Sequence, residues 1–494
     1  MEARCCGYRY SHRLIKYHRM KNKLSVFLLL LTVFAEFSAS AQSKIKVACV
    51  GNSITAGAGI TDPQINSYPA QLQSLLGDRY QVTNYGVSGT TLLKKGNSPY
   101  WVTQKYKQAL ESNPDIVFIK LGTNDSKAIN RPFLGEFKND YEALIKSFAQ
   151  LSSHPRIILL LPLPSFKTDS NGIFDPVIKT NIIPLIQQVA YKDSLEVIDL
   201  HSLFVDKPEL LPDGIHPHKE GAGVLANRLY QLIKQERDTK FDISAKLPAA
   251  EKITSFYGYN CADFTYNGRN CKVVKPKWAA KGHPWVWRAR FWGHEPQADI
   301  ALLEHGFHIV YCDVVELYGN AEFVKIWNGF YDLLNKAGLN KRAAMEGMSR
   351  GGVYVYNWAA ENPKKVACVY ADNPVLDLKS WPGGKGKGPG SKGDWVKVQT
   401  DFNLKTPEDE VAFASSPINK IKEIVKGHYP MLHLLADADE VVPPEENTIP
   451  FEKLVKEAGG DITVYHKPGF KHHPHSLPNP SVIVDFILKN TGIK

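Results

Sequence analysis

Between Lys44 and about Glu236 the chain alternates two kinds of apolar pattern. Short continuous runs at Ile45–Val50, Asp115–Leu121, Ile157–Leu161 and Leu195–Leu200 read as strands, and a further strand precedes Asn84. Between them, apolar residues recur every three or four positions over Tyr68–Leu76, Glu136–Leu151, Val177–Ala190 and Gly221–Lys234, the spacing of a helix with one buried face. Strands that are apolar throughout and separated by helices predict a parallel sheet covered on both faces. Periodicity fails over 238–252, which contains Pro248 and is assigned as a linker. From Ile253 the alternation restarts, with strands at His308–Val315, Lys341–Glu346, Val366–Ala371, Met431–Ala436 and Ile462–His466. Its helices fall at Glu322–Ala337, Gly352–Ala360, Glu445–Ala458 and Ser481–Lys489. The fold class is therefore α/β, with two three-layer α/β/α domains of mostly parallel sheets over 43–237 and 253–494. One stretch interrupts the second pattern: Trp381 to Trp395 is rich in Gly and Lys and is expected to be a loop beside the site.

Composition changes this picture at the amino end. The 494 residues carry a net charge of +10, but residues 1–42 alone hold seven Lys/Arg against two Asp/Glu, half of the excess. What remains gives no case for a nucleic-acid partner. Within 1–42, Lys21 and Lys23 precede the apolar Leu24 to Phe34 and the small residues Ser38-Ala39-Ser40-Ala41, the order of a secretory signal cleaved near Ala41. Met20 is the expected start. The apolar run is too short to span a bilayer, so a periplasmic or secreted protein with no membrane anchor is expected. Five cysteines follow the signal; Cys261 and Cys271 either pair in that oxidising compartment or remain buried thiols.

Candidate chemistry enters at the ends of the strands. Val50-Gly51-Asn52-Ser53-Ile54-Thr55 places Ser53 at the carboxyl end of the first strand, where open parallel sheets bind ligands. Three further blocks follow: Asn84-Tyr85-Gly86-Val87-Ser88-Gly89-Thr90-Thr91, Leu121-Gly122-Thr123-Asn124-Asp125 and Asp213-Gly214-Ile215-His216-Pro217. Together they supply what acyl transfer requires. Ser53 is a nucleophile, His216 the base that takes its proton, and Asp213 the acid that orients the imidazole. The amides of Ser53 and Gly89 and the side chain of Asn124 are candidate oxyanion donors, each typically worth about 3–4 kcal/mol of barrier. In this order the four blocks resemble the SGNH (GDSL) hydrolase family over 44–236. The resemblance implies a flavodoxin-like sheet and esterase activity. Asn52 departs from the Asp in the family's name, at a position that is not the nucleophile.

A second set lies downstream. Gly347-Met348-Ser349-Arg350-Gly351 follows an apolar run and precedes a helix, which reads as a nucleophile elbow. The glycines two before and two after the serine are expected because side chains there clash across the turn. Asp439, before Glu440-Val441-Val442-Pro443, is the expected acid, with Asp437 the competitor, and His472 the base. The order Ser349, Asp439, His472 makes residues 253–494 similar to α/β-hydrolases. His473 and His475 are expected to be surface neighbours of His472, with no metal held. The amide of Arg350 is one expected oxyanion donor, and the segment Lys281 to Arg288 the expected source of another. The guanidinium of Arg350 either packs at the start of the helix or holds a substrate carboxylate. Trp278, Trp285, Trp287, Phe291 and Trp292 are core and loop packing, or a platform on which a sugar stacks.

The reading that follows is an exported two-domain serine esterase that needs no cofactor. Enzymes that resemble this pairing remove O-acetyl groups from carbohydrates, which implies an acetylated polysaccharide or oligosaccharide substrate. Two rivals stand beside it. The second domain cleaves feruloyl, methyl or glucuronoyl esters, or it is a degenerate hydrolase that binds glycan.

Overall fold

The computed structural model describes residues 43–493; the secretory signal expected over 1–42 lies outside them. The first sheet contains β1 (Ile45–Gly51), β2 (Tyr80–Gly86), β3 (Ile116–Lys120), β4 (Arg156–Leu160) and β5 (Glu196–Ile198). Its spatial order is β2-β1-β3-β4-β5, and every pairing is parallel. Alternation along the strands sends side chains into two cores. Val47, Cys49 and Phe118 join Leu72, Leu225 and Leu229 from helices Tyr68–Leu76 and Lys219–Lys234 on one face. Ala48, Val50, Val117 and Ile119 meet Tyr141, Leu144, Ile186 and Val189 from helices Phe137–Ala149 and Ile183–Lys192 on the other. Both faces are dry along β1, β3 and β4, which is why those strands are almost wholly apolar, whereas the edge strand β2 carries Gln81, Thr83 and Asn84. The strand order reverses direction between β1 and β3, and a crevice opens at their carboxyl ends.

The junction expected as a linker is partly structured. Arg237–Asp238 (β6) pairs antiparallel with Ala279–Ala280 (β10), and Ile243 is buried in the second domain's core. A two-residue strand carries too little pattern to be seen in sequence. The second sheet is formed by β7 (Lys252–Phe256), β8 (Tyr259–Tyr266), β9 (Arg269–Lys275), β11 (Trp285–Arg288), β12 (His308–Cys312), β13 (Ala343–Met348), β14 (Val366–Asp372), β15 (Met431–Ala436) and β16 (Ile462–Lys467). Its order is β16-β15-β14-β13-β11-β12-β9-β8-β7; β11 to β16 run parallel, and β7 to β9 form an antiparallel flank. The sequence reading omitted that flank. Its turns at Tyr257-Gly258 and Asn267-Gly268 carry positive φ at both residues, the signature of two-residue hairpins.

Cys261 and Cys271 lie on opposite faces of the flank: Cys261 opposes Val274, while Cys271 opposes Phe264 on its other side and Cys312 on β12. They do not pair, and the five described cysteines are free and buried. The Gly/Lys-rich stretch is less loose than expected. Ser391 caps a helix at Lys392–Asp401, and its Trp395 and Val398 are buried against Tyr318, Leu378 and Phe413. Trp285 and Trp287 are wholly buried, and Trp287 stacks on Trp327 at 4.1 Å, so these two are core and not a sugar platform.

One apolar cluster runs through both domains. It includes Val189 and Val197 of the first, Tyr259, Ile309 and Leu434 of the second, and Ile483 and Ile487 of the last helix, Ser481–Thr491. Polar contacts accompany it. Tyr259 donates to the Val197 carbonyl at 3.3 Å, and Arg228 pairs with Glu304 at 2.7 Å. Among the described residues no helix is long and apolar enough to cross a membrane.

Candidate active sites

In the first domain, β1 ends at Gly51 and a short helix starts at Ser53. The Asn52 side chain caps it by accepting from the Ile54 N–H at 3.2 Å. That is a capping role Asp fills equally well, which explains why the departure at Asn52 leaves the turn intact. A Cβ on Gly51 would lie 2.2 Å from Thr55 Oγ1, and one on Gly86 would lie 2.2 Å from the Ala56 N, so this helix seats only against bare backbone. Asn84 fastens it by donating to the Thr55 carbonyl at 2.8 Å.

The structure brings Ser53, His216 and Asp213 together. Ser53 Oγ lies 2.8 Å from His216 Nε2, and His216 Nδ1 lies 2.7 Å from Asp213 Oδ2. The other oxygen of Asp213 accepts the backbone N–H groups of Ile215 and His216, at 2.9 and 2.7 Å. Partial burial acts to raise Asp213, but the hydrogen bonds from His216 and Ile215 outweigh it and hold the carboxyl below its usual value. An ionised Asp213 accepts from Nδ1–H, which leaves Nε2 with the lone pair that Ser53 requires. Asn124 donates one N–H to the Thr90 carbonyl at 2.9 Å, and Asn130 holds the Asn124 carbonyl at 2.8 Å. Gly89 precedes Thr90 in a left-handed turn, φ +80°. Beneath them Asp125 accepts the N–H groups of Leu92 and Leu93 at 3.1 and 2.8 Å and so shapes the Gly89 loop. Burial lifts Asp125 to about 6 against those bonds. Asn84 and Asp125 stand in the blocks quoted above without a role, and Asn130 lies outside them, since single polar residues next to motif positions carry no pattern of their own.

In the second domain Ser349 sits between β13 and helix Gly351–Glu361 with φ +47°, a conformation L-residues adopt only under constraint. The constraint is visible. Its N–H donates to the Asp372 carbonyl and its carbonyl accepts from the Val375 N–H, both at 2.9 Å. The glycine expectation holds at one position and shifts at the other. A Cβ on Gly347 would meet the Gly351 backbone at 2.9 Å, but one on Gly351 has no neighbour nearer than Arg290 Cβ at 3.7 Å. The tight contact after the serine belongs to Gly352, where a Cβ would lie 2.5 Å from Pro374 Cβ.

Ser349 Oγ lies 2.9 Å from His472 Nε2, and His472 Nδ1 lies 2.7 Å from Asp439 Oδ2. Asp439 also accepts the N–H groups of Val441 and Val442 at 2.9 Å. Asp437 turns outward and pairs with His466 at 2.7 Å. Asn373 donates to the His472 carbonyl at 3.0 Å and pins the histidine loop to the end of β14. His475 is not the surface neighbour expected: it is 3% exposed, because its Nδ1 reaches the buried Asp372 at 3.2 Å. Burial acts to raise Asp372, and His475 and Lys467 outweigh it and keep the carboxylate below its usual range.

Arg350 has one Nη engaged, while its Nε is buried without a partner among the described residues. That Nη donates to the Tyr318 hydroxyl at 2.5 Å and lies 3.6 Å from Asp394, which itself accepts from Tyr318 at 2.7 Å. Within the segment Lys281 to Arg288, Trp285–Arg288 is strand β11 and not a loop, and the Arg288 side chain is buried between Asp299 and Glu346. The residues beside Gly351 are the two after it, Ala289 and Arg290, and the Ala289 N–H is used by the Glu346 carbonyl at 3.0 Å.

Residues 49–224 match the GDSL-like lipase/acylhydrolase family, and residues 316–489 match the prolyl oligopeptidase family. Over 211 residues the chain is 43% identical to an acetylxylan esterase of Xylanibacter ruminicola, covering 39% of this chain and 44% of that protein. The chain thus spans less than half the length of that relative. It is 25% identical over 253 residues to the uncharacterised protein YpmR of Bacillus subtilis, covering 44% of this chain and 97% of that one. Among solved structures it is similar to Pyrococcus horikoshii acylaminoacyl peptidase, with 16% identity and a TM-score of 0.37 over 46% of this chain and 41% of that one.

Proposed function

We propose that this chain, in which a GDSL-like acylhydrolase domain precedes a prolyl oligopeptidase-type α/β-hydrolase domain, is an exported carboxylic ester hydrolase that removes O-acetyl groups from carbohydrates. The observation that carries the reading is the unbroken chain Ser53–His216–Asp213, at 2.8 and 2.7 Å, with Ser53 following the carboxyl end of β1. Likeness to an acetylxylan esterase supports the carbohydrate substrate, and the leader-like pattern before Ala41 supports export.

The steps of this reading start from that contact chain. His216 takes the Ser53 proton as Oγ attacks the acetyl carbonyl. The oxyanion that forms is met by the Ser53 and Gly89 amides and the second N–H of Asn124. The imidazolium, steadied by Asp213, then protonates the departing sugar oxygen, leaving acetyl-Ser53. Water activated by the same histidine attacks the acyl-enzyme and releases acetate. Ser349, His472 and Asp439 repeat the scheme in the second domain on an acetyl or a larger acyl group.

The test is acetate release from acetylated xylan by the parent chain, Ser53→Ala, Ser349→Ala and the double variant. Loss of distinct portions of the release in the two single variants is the expected result. Full release by Ser53→Ala would overturn the assignment of the first site. Unchanged release by Ser349→Ala, with methanol or ferulate release lost instead, would assign the second site to another ester.

A further inference from the structure

The second domain holds a group of side chains that acyl transfer does not use. The rings of His472, His473 and His475 lie with centroids 4.9 Å apart in every pair and planes 78–82° from one another. One ring nitrogen from each lies within 4.8 Å of those from the other two. His294, on the loop after β11, brings a fourth ring to 5.9 Å from His473 and 6.1 Å from His475. His473 is exposed and opens the group to solvent, while His472 and His475 are buried.

A second observation points to a ligand. Nε2 of His475 is buried without a hydrogen-bond partner, in a residue only 3% exposed. Such an atom is costly to leave unmatched. Its other nitrogen is fixed on Asp372, which is itself bound by Lys467 at 2.9 Å and by the Ser476 N–H at 2.6 Å. His472 has the same arrangement with Asp439. A carboxylate that accepts from Nδ1–H and turns the Nε2 lone pair outward is the outer-shell partner that metal-binding histidines have. Imidazole nitrogens suit cations of the zinc, copper and nickel class, whereas calcium and magnesium call for oxygen ligands.

We infer that His472, His473 and His475 form a binding site for a zinc-class divalent cation, and that its occupancy takes the Nε2 lone pair of His472 away from Ser349. The cation then silences the second domain and spares the first. Zinc–nitrogen bonds of about 2.0–2.1 Å need the three nitrogens closer together than they stand, and the exposed His473 is the ring free to swing in. The silencing, though not the binding, rests on the esterase reading of Ser349.

The experiment titrates zinc chloride into the full chain by calorimetry, and into p-nitrophenyl acetate assays of Ser53→Ala, which retains the second site, and Ser349→Ala, which retains the first. One zinc per chain is expected, with binding weakened about tenfold or more in His473→Ala, since even outer partners of a metal ligand cost that much. Zinc should suppress hydrolysis by Ser53→Ala, reversibly with EDTA, and leave Ser349→Ala unaffected. No saturable heat in the parent chain, an unchanged affinity in His473→Ala, or equal inhibition of the two single variants would overturn the proposal. An inert Ser53→Ala would count against the esterase reading of Ser349, and the calorimetry would still uphold or overturn the cation site.

Discussion

The two serine sites reach the same contact distances by opposite routes. In the first, acid and base share one turn, Asp213 and His216, and the acid's side chain is 51% exposed. In the second, Asp439 and His472 come from separate loops after β15 and β16, and the acid's side chain is 1% exposed. Ser53 opens a helix in ordinary backbone, whereas Ser349 is held at φ +47°. The first site is therefore a local device oriented by its own N–H groups and wetted by solvent. The second depends on tertiary packing for every member. Solvent can substitute for a missing partner in one and cannot reach it in the other.

The largest expected effect breaks that comparison most directly. In Asp439→Asn the amide must face His472 and forces its proton onto Nε2, so turnover at the second site should fall about 10⁴-fold. In Asp213→Asn the exposed amide is free to turn away, water takes its place, and the loss should be nearer about 10²-fold. Equal losses, measured as kcat in backgrounds lacking the other serine, would show that exposure does not matter. Asn124→Ala comes next, at about 10²–10³-fold in kcat with little change in KM, because its N–H acts on the developing oxyanion. Smaller still are the turn glycines. Gly352→Ala forces a contact with Pro374 and should cost about 1–3 kcal/mol in urea unfolding, whereas Gly351→Ala should be within about 1 kcal/mol of the parent. The reverse order would mean that the elbow is not packed as described.

The smallest effect concerns pH. Asp213 is held below its usual value, so its contribution to stability is present above the unfolded carboxyl range and is lost as pH falls through the folded value. The melting temperature of Asp213→Asn should trail the parent at neutral pH, and the gap should begin to close only as pH falls below the ordinary carboxyl value of about 4, vanishing beneath the lower folded value. A gap that does not narrow as pH falls below about 4 would contradict the ion-pair account. Exposure and screening keep this effect small.

Much of this architecture was written in the chain as pattern. β1, β3 and β4 are apolar at successive positions because both faces are buried, and that is the signal a parallel sheet leaves. The six side chains taken from motif order are the six that lie within 2.9 Å of their triad neighbours. What stayed hidden depends on tertiary contact. Trp395 reads as part of a loose Gly/Lys tract until Tyr318 and Phe413 close over it. His475 looks like a spare histidine until Asp372, 103 residues earlier, is found beneath it. The role of Gly352 is invisible because Pro374, which excludes a side chain there, lies on another loop.

The apolar cluster common to both domains has a practical consequence for anyone dividing the chain. A cut near residue 250 would part Val197 from Tyr259 and Arg228 from Glu304, and open that side of the cluster to water on both fragments. Separate expression of either half should yield sticky material, and trimming the final helix should harm the amino-terminal activity it never touches chemically. Heating the intact protein should extinguish both activities together in one melting step.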